Sequence, residues 1–192
     1  MSTTDELLAN NASYAASFAS MSLGDRGSLP LKPSKHLAAV ACMDARIDVH
    51  KILGLQEGDA HVIRNAGGVV TDDVIRSLVV SQRKSGTTEI ILIHHTDCGM
   101  LTFSDDAVSR EIQEDTGIKP GFAFEAFTDL DEDVLQSMAR IRQSPFIPHK
   151  NVRGFVFDVA TGSLREVRPR ADPLPGTRWE VPWGAALPDG GS

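Results

Sequence analysis

The chain has 192 residues, 41% of them apolar, with a formal net charge of −7 and a pI near 5.3. That length suits one domain with appendages, and the apolar fraction supports a core that needs no disulfide staples. The acidic balance excludes a general nucleic-acid binder, which requires a basic stripe. No apolar run approaches the roughly 18 residues that a membrane span requires.

In chain order, Met1–Asn11 carries Asp5 and Glu6 where a secretory leader would have a basic stretch and an apolar core, so a cytoplasmic protein is expected. Leu7, Leu8, Tyr14 and Phe18 recur at roughly helical spacing and predict a helical arm over Asp5–Phe18. Gly24–Ser34 is rich in Gly, Pro and Ser and reads as a linker. Leu37–Ala41 is a short continuous apolar run, the pattern of a strand buried on both faces. Ala60–Arg64 reads as a second strand, stopped by Asn65-Ala66-Gly67-Gly68. Asp72–Lys84 reads as a helix with Val74, Ile75, Leu78 and Val79 on one face, and Glu89–Ile93 as a third strand. Asp131–Arg142 follows as a helix, then a hairpin with strands at Gly154–Val159 and Leu164–Arg168. Strands alternating with helices predict an α/β fold with a mainly parallel sheet. The expected organisation is an N-terminal arm and linker (1–33), an α/β catalytic domain (34–168) and an irregular Pro/Gly-rich tail (169–192).

The two cysteines, Cys42 and Cys98, follow the first and third expected strands. Cys42-Met43-Asp44-Ala45-Arg46 and His95-Thr96-Asp97-Cys98-Gly99 therefore fall at the carboxyl ends of parallel strands, where open α/β sheets place their ligand sites. Two thiolates and an imidazole make a donor set suited to zinc, and three protein ligands leave a fourth position for water. Zinc would bring that water's pKa towards roughly 7 and provide a hydroxide nucleophile. Asp44 has two possible states: it coordinates the ion as a fourth ligand, or it turns away and pairs with Arg46 through two parallel hydrogen bonds. Alternation along the strand directs only one of His94 and His95 to the metal, and the His-x-x-Cys spacing favours His95. As filler, or as a redox dithiol, the cysteines would leave His95 and the Asp-Arg pair without a task. Asn65–Gly68 reads as a tight turn or a backbone anion cradle.

Cys42-x-Asp44-x-Arg46, Arg64-Asn65-Ala66-Gly67-Gly68 and His95-x-x-Cys98-Gly99, in this order, resemble the β-class carbonic anhydrases. The stretches Ala-Cys-Met-Asp-Ala-Arg and His-His-Thr-Asp-Cys-Gly-Met are most similar to a short bacterial branch of mycobacterial type, which also includes carbonyl sulfide hydrolases. The match runs from about Ser34 to Gly99, and the hairpin at Arg153–Val167 fits as well. The resemblance implies Zn2+ on Cys42, His95 and Cys98, and a catalytic dyad of Asp44 and Arg46, with Asp44 as fourth ligand in a closed state. It also implies a four-stranded parallel sheet flanked by helices and extended by an antiparallel C-terminal strand. Homodimers or homotetramers, with the N-terminal helix embracing the partner, are implied too.

The pocket glutamine of plant-type members has no counterpart around Lys32-Pro33-Ser34. Tyr14 is the only tyrosine, and Ile47–Ile93 contains no aromatic residue. An aliphatic pocket is therefore expected, built from Ala66, Gly67, Gly68, Val69, Val70 and Leu101. The expected reaction is reversible hydration of CO2 to bicarbonate by a zinc-bound hydroxide. The alternative is hydrolysis of carbonyl sulfide at the same site; a redox dithiol or a non-enzymatic metal-binding protein is the third reading.

Overall fold

A computed structural model describes residues 2–20 and 29–169. The expected linker lies partly, and the expected tail almost wholly, outside the described residues.

The arm forms α1 (Thr3–Ser20). Its start is fixed by a reciprocal cap, in which the Ser2 backbone N–H donates to the Asp5 carboxylate and the Asp5 N–H donates to Ser2 Oγ. Every residue from Ser2 to Ser17 is exposed.

The body is a five-stranded sheet in the order β2-β1-β3-β4-β5, formed by β1 (Leu37–Cys42), β2 (Ala60–Asn65), β3 (Glu89–His95), β4 (Asn151–Phe157) and β5 (Leu164–Val167). The first four strands are parallel and β5 is antiparallel to β4. All six residues of β1 are buried, as its uninterrupted apolar run requires. Side chains alternate between two cores. Ala38, Val40, Ile90 and Leu92 face one side, with Leu78 and Ile141 among their neighbours. Ala39, Ala41, Cys42 and Ile93 face the other. Each fully enclosed Leu or Ile stabilises the fold by about 1.5–3 kcal/mol relative to exposure.

The helices α2 (Val49–Leu53), α3 (Asp72–Ser85), α4 (Asp105–Thr116) and α5 (Leu130–Gln143) complete the body. Thr71 caps α3 by accepting the Val74 N–H, Asp72 and Asp73 favour its first turn, and Gly86 ends it with φ 73°. Two of these helices, α2 and α4, carry no apolar stripe that the sequence could announce. The first has five residues, and the second buries none of its side chains. No helix among the described residues is long and apolar enough to cross a membrane.

Candidate metal centre

From β1 the chain proceeds to β2 on one side, while β3 lies on the other. The carboxyl ends of β1 and β3 therefore flank the switch point of the sheet, where an open crevice forms. Cys42 is the last residue of β1 and His95 the last of β3. Beyond His95 the chain turns through Asp97, which adopts φ 56°, a left-handed conformation that Asp tolerates better than most residues. That turn returns Cys98 to the strand tips, where a short 3-10 turn, Gly99–Leu101, begins.

The ligand atoms of Cys42, His95 and Cys98 all lie within 4.8 Å of one another, and all three residues are buried. His95 Nδ1 lies 2.9 Å from the Thr96 carbonyl oxygen, which can only accept. The proton therefore sits on Nδ1 and Nε2 carries the lone pair. Nε2 is buried without a hydrogen-bond partner, a state that costs about 1–3 kcal/mol if nothing relieves it. Cys98 beside it lowers the Cys42 thiol, and Cys42 together with burial raises that of Cys98. Two buried sulfurs and an orphaned imidazole lone pair fit a soft-to-borderline cation such as zinc. His94 belongs elsewhere: its Nε2 meets Asp133 Oδ2 of α5 at 2.6 Å.

Asp44 is turned towards Arg46 and stands outside the ligand cluster. Arg46 Nε donates to Asp44 Oδ1 at 2.9 Å and Nη2 to Oδ2 at 2.8 Å, while the Arg46 backbone N–H adds a third bond at 2.9 Å. These bonds hold the carboxyl well below the usual carboxylate range. Asp97 completes the arrangement, accepting from Arg46 Nη1 at 2.7 Å through its carboxylate and from Nη2 at 2.9 Å through its carbonyl. Asp44 and then Asp97 raise the Arg46 pKa further. Arg64 pins the loop beneath, donating to the Cys42 carbonyl at 3.0 Å and the Asp44 carbonyl at 2.7 Å. Neither role was legible in the sequence. Asp97 enters through one turn residue with positive φ, and Arg64 acts on backbone carbonyls that no motif records.

The turn Ala66–Gly68 folds over the tips of β1 and β3. A Cβ on Gly68 would stand 2.7 Å from the Cys42 nitrogen and 2.9 Å from the Ala41 carbonyl carbon, and φ there is 74°. Close backbone approach therefore accounts for the glycine.

A cavity of about 360 Å³ opens beside the cluster, lined by Cys42, Met43, Asp44, Ala66, Gly67, Cys98, Gly99, Met100, Phe103 and Phe124. The expected aliphatic wall is thus corrected. Ala66 and Gly67 line the cavity, but Gly68, Val69, Val70 and Leu101 do not. Gly68 packs on the β1 backbone, Val69 and Val70 are buried in opposite cores, and Leu101 packs against the first of these. The aromatic side chains come from segments after β3 that the sequence left without an assigned element.

A family model for carbonic anhydrase matches residues 37–121. The chain is 61% identical over 170 residues to beta-carbonic anhydrase 1 of Mycobacterium tuberculosis, covering 88% of this chain and 100% of that relative. It is 38% identical over 160 residues to a carbon disulfide hydrolase of Acidianus sp., covering 69% and 78%. Its fold matches the crystal structure of a carbonic anhydrase from Streptococcus mutans with a TM-score of 0.78 at 43% identity, covering 88% and 99%. With the cysteine–histidine cluster at the switch point of its sheet, the chain belongs to the β-carbonic anhydrase family.

Proposed function

We propose that the chain catalyses reversible hydration of CO2 to bicarbonate, with zinc held by Cys42, His95 and Cys98. The observation that carries this reading is the convergence of three buried donors beside an apolar cavity that two of them, Cys42 and Cys98, line. Zinc bound there supplies a Lewis acid that activates water near neutral pH. Asp44, kept ionised by Arg46, accepts a hydrogen bond from the attacking water and aims it at the substrate carbon. Its Oδ2 lies 3.8 Å from His95 Nε2. Met100, Phe103 and Phe124 offer an apolar surface to a linear heterocumulene and exclude bulk water around it. Stopped-flow CO2 hydration on the zinc-loaded chain tests this reading; turnover indistinguishable from buffer overturns it.

The second reading, hydrolysis of carbonyl sulfide at the same site, draws on the relatives named carbon disulfide hydrolase and on the apolar cavity. Sulfide release measured on the same preparation separates the two. In either case residues 34–168 form the catalytic unit. Dithiolate ligation suits a reducing cytoplasm, and exposed Leu7 and Leu8 on α1, at 61% and 63%, support assembly into a homodimer or homotetramer through the arm. Light scattering with and without residues 1–20 tests that assembly.

A further inference from the structure

Asp105, the first residue of α4, does not touch the ligand cluster or line the cavity. Its carboxylate accepts hydrogen bonds from three consecutive backbone N–H groups across a long loop. Phe124 donates to Oδ2 at 2.8 Å, Glu125 to Oδ2 at 3.2 Å and Ala126 to Oδ1 at 2.8 Å. Glu125 adopts φ 60° within this wrap, a conformation that persists only where the surroundings enforce it. On its far side the loop is fastened again, where the Phe127 N–H donates to the Met100 carbonyl at 3.4 Å.

The segments joined by this carboxylate are the two that supply the aromatic wall. Phe103 lies two residues before Asp105, and Phe124 is itself one of the donors; both line the cavity. Phe122 packs edge-on against Phe124, with ring centroids 5.2 Å apart. At Phe124 itself the backbone N–H is held by Asp105, while Arg140 of α5 reaches the neighbouring Glu125 carboxylate at 3.4 Å.

We infer that Asp105 is a positioning residue for substrate: by tying the Phe124 backbone to the start of α4 it sets the aromatic wall against which the heterocumulene lodges. The inference rests on the functional reading above. Because Asp105 acts on the wall and not on the reacting atoms, its loss falls on substrate binding and leaves the chemical step intact.

The test combines hydrogen exchange with steady-state kinetics on the zinc-loaded full chain carrying Asp105→Ala, Asp105→Asn, Phe124→Ala or both alanine changes. In Asp105→Ala the amides of residues 124–126 lose protection while those of β3 keep theirs. KM for CO2 rises about tenfold with kcat within twofold. Asp105→Asn, which retains one accepting oxygen, recovers part of both effects, and the double variant is no worse than Phe124→Ala alone. Unchanged protection at 124–126, a fall in kcat at constant KM, or additive losses in the double variant overturn the inference. If Asp105→Ala fails to fold, the same comparison is made between Asp105→Asn and the wild type. A wild-type chain without CO2 hydration sinks the functional reading instead, and exchange at 124–126 still decides whether the carboxylate holds the loop.

Discussion

His94 and His95 are neighbours in β3 that serve opposite faces of one sheet. His94 shares the side of Ile90 and Leu92 and bonds Asp133 of α5 at 2.6 Å, whereas His95 shares the side of Ile93 and meets the two cysteines. Both are fully buried, so burial alone does not distinguish their tasks.

The two histidines are expected to part company on mutation. His95→Ala should abolish stoichiometric zinc after dialysis, with the sheet intact by circular dichroism. His94→Ala should keep zinc but lower unfolding stability by about 2–4 kcal/mol, through a cavity and a stranded Asp133 carboxylate. Metal analysis and urea denaturation check both. Equal zinc loss in the two variants would refute the assignment.

The Asp44–Arg46 pair should matter to rate more than to stability, because the guanidinium is solvent-accessible and surface ion pairs stabilise little. Asp44→Asn is expected to lower kcat/KM for CO2 by about 10²–10⁴-fold with zinc retained. Arg46→Ala should lower it in the same direction. Activity and pH profile unchanged in Arg46→Ala would show that the pair has no catalytic part.

Gly68→Ala should be disruptive well beyond the size of a methyl group. The added Cβ meets the backbone of Ala41 and Cys42, and φ is 74°. Left-handed strain and forced displacement together suggest a loss of about 2–4 kcal/mol. Because the displaced backbone is that of a proposed ligand, zinc affinity should fall as well. Competition against a chromogenic chelator reads the second effect, and wild-type values in both assays would contradict the close approach.

Acid titration offers a check away from the cysteine–histidine cluster. Arg153 Nε donates to Glu166 Oε1 and Arg168 Nη2 to Oε2, each at 2.7 Å, and they hold Glu166 down to about 2. A folded pKa depressed below the unfolded value of roughly 4.3 means that this group stabilises the β4–β5 hairpin above that pH. The contribution fades as pH falls from there towards about 2. Carbon-detected NMR of the Glu166 carboxyl should give a midpoint near the lower figure; one in the ordinary glutamate range would show that the two arginines do not grip it.

Most of the scaffold was written in hydrophobic pattern. The buried run Leu37–Ala41, the stripe Val74–Ile75–Leu78–Val79 and the run Glu89–Ile93 each announced an element, and the observed strands and helices extend them by only one or two residues. The spacing of Cys42, His95 and Cys98 announced the cluster, because strand tips in a parallel sheet converge. The cavity wall was not legible. Phe103 and Phe124 are brought to it by the segments before and after α4, which itself buries no side chain, and the fastening is made by one carboxylate on backbone N–H groups. The capping signal Ser104-Asp105-Asp106, with Gly117 at the far end, was the available clue to that helix. Asp97 and Arg64 escaped for a related reason, since both act partly through main-chain carbonyls, which carry no residue type.

Cys42 and His95 end β1 and β3 and Cys98 follows one turn later, whereas Phe103 and Phe124 belong to segments farther from the sheet. Change can therefore accumulate in the lining without moving Cys42, His95 or Cys98. Wall and donors can then vary independently, which accommodates relatives bearing the different names beta-carbonic anhydrase and carbon disulfide hydrolase.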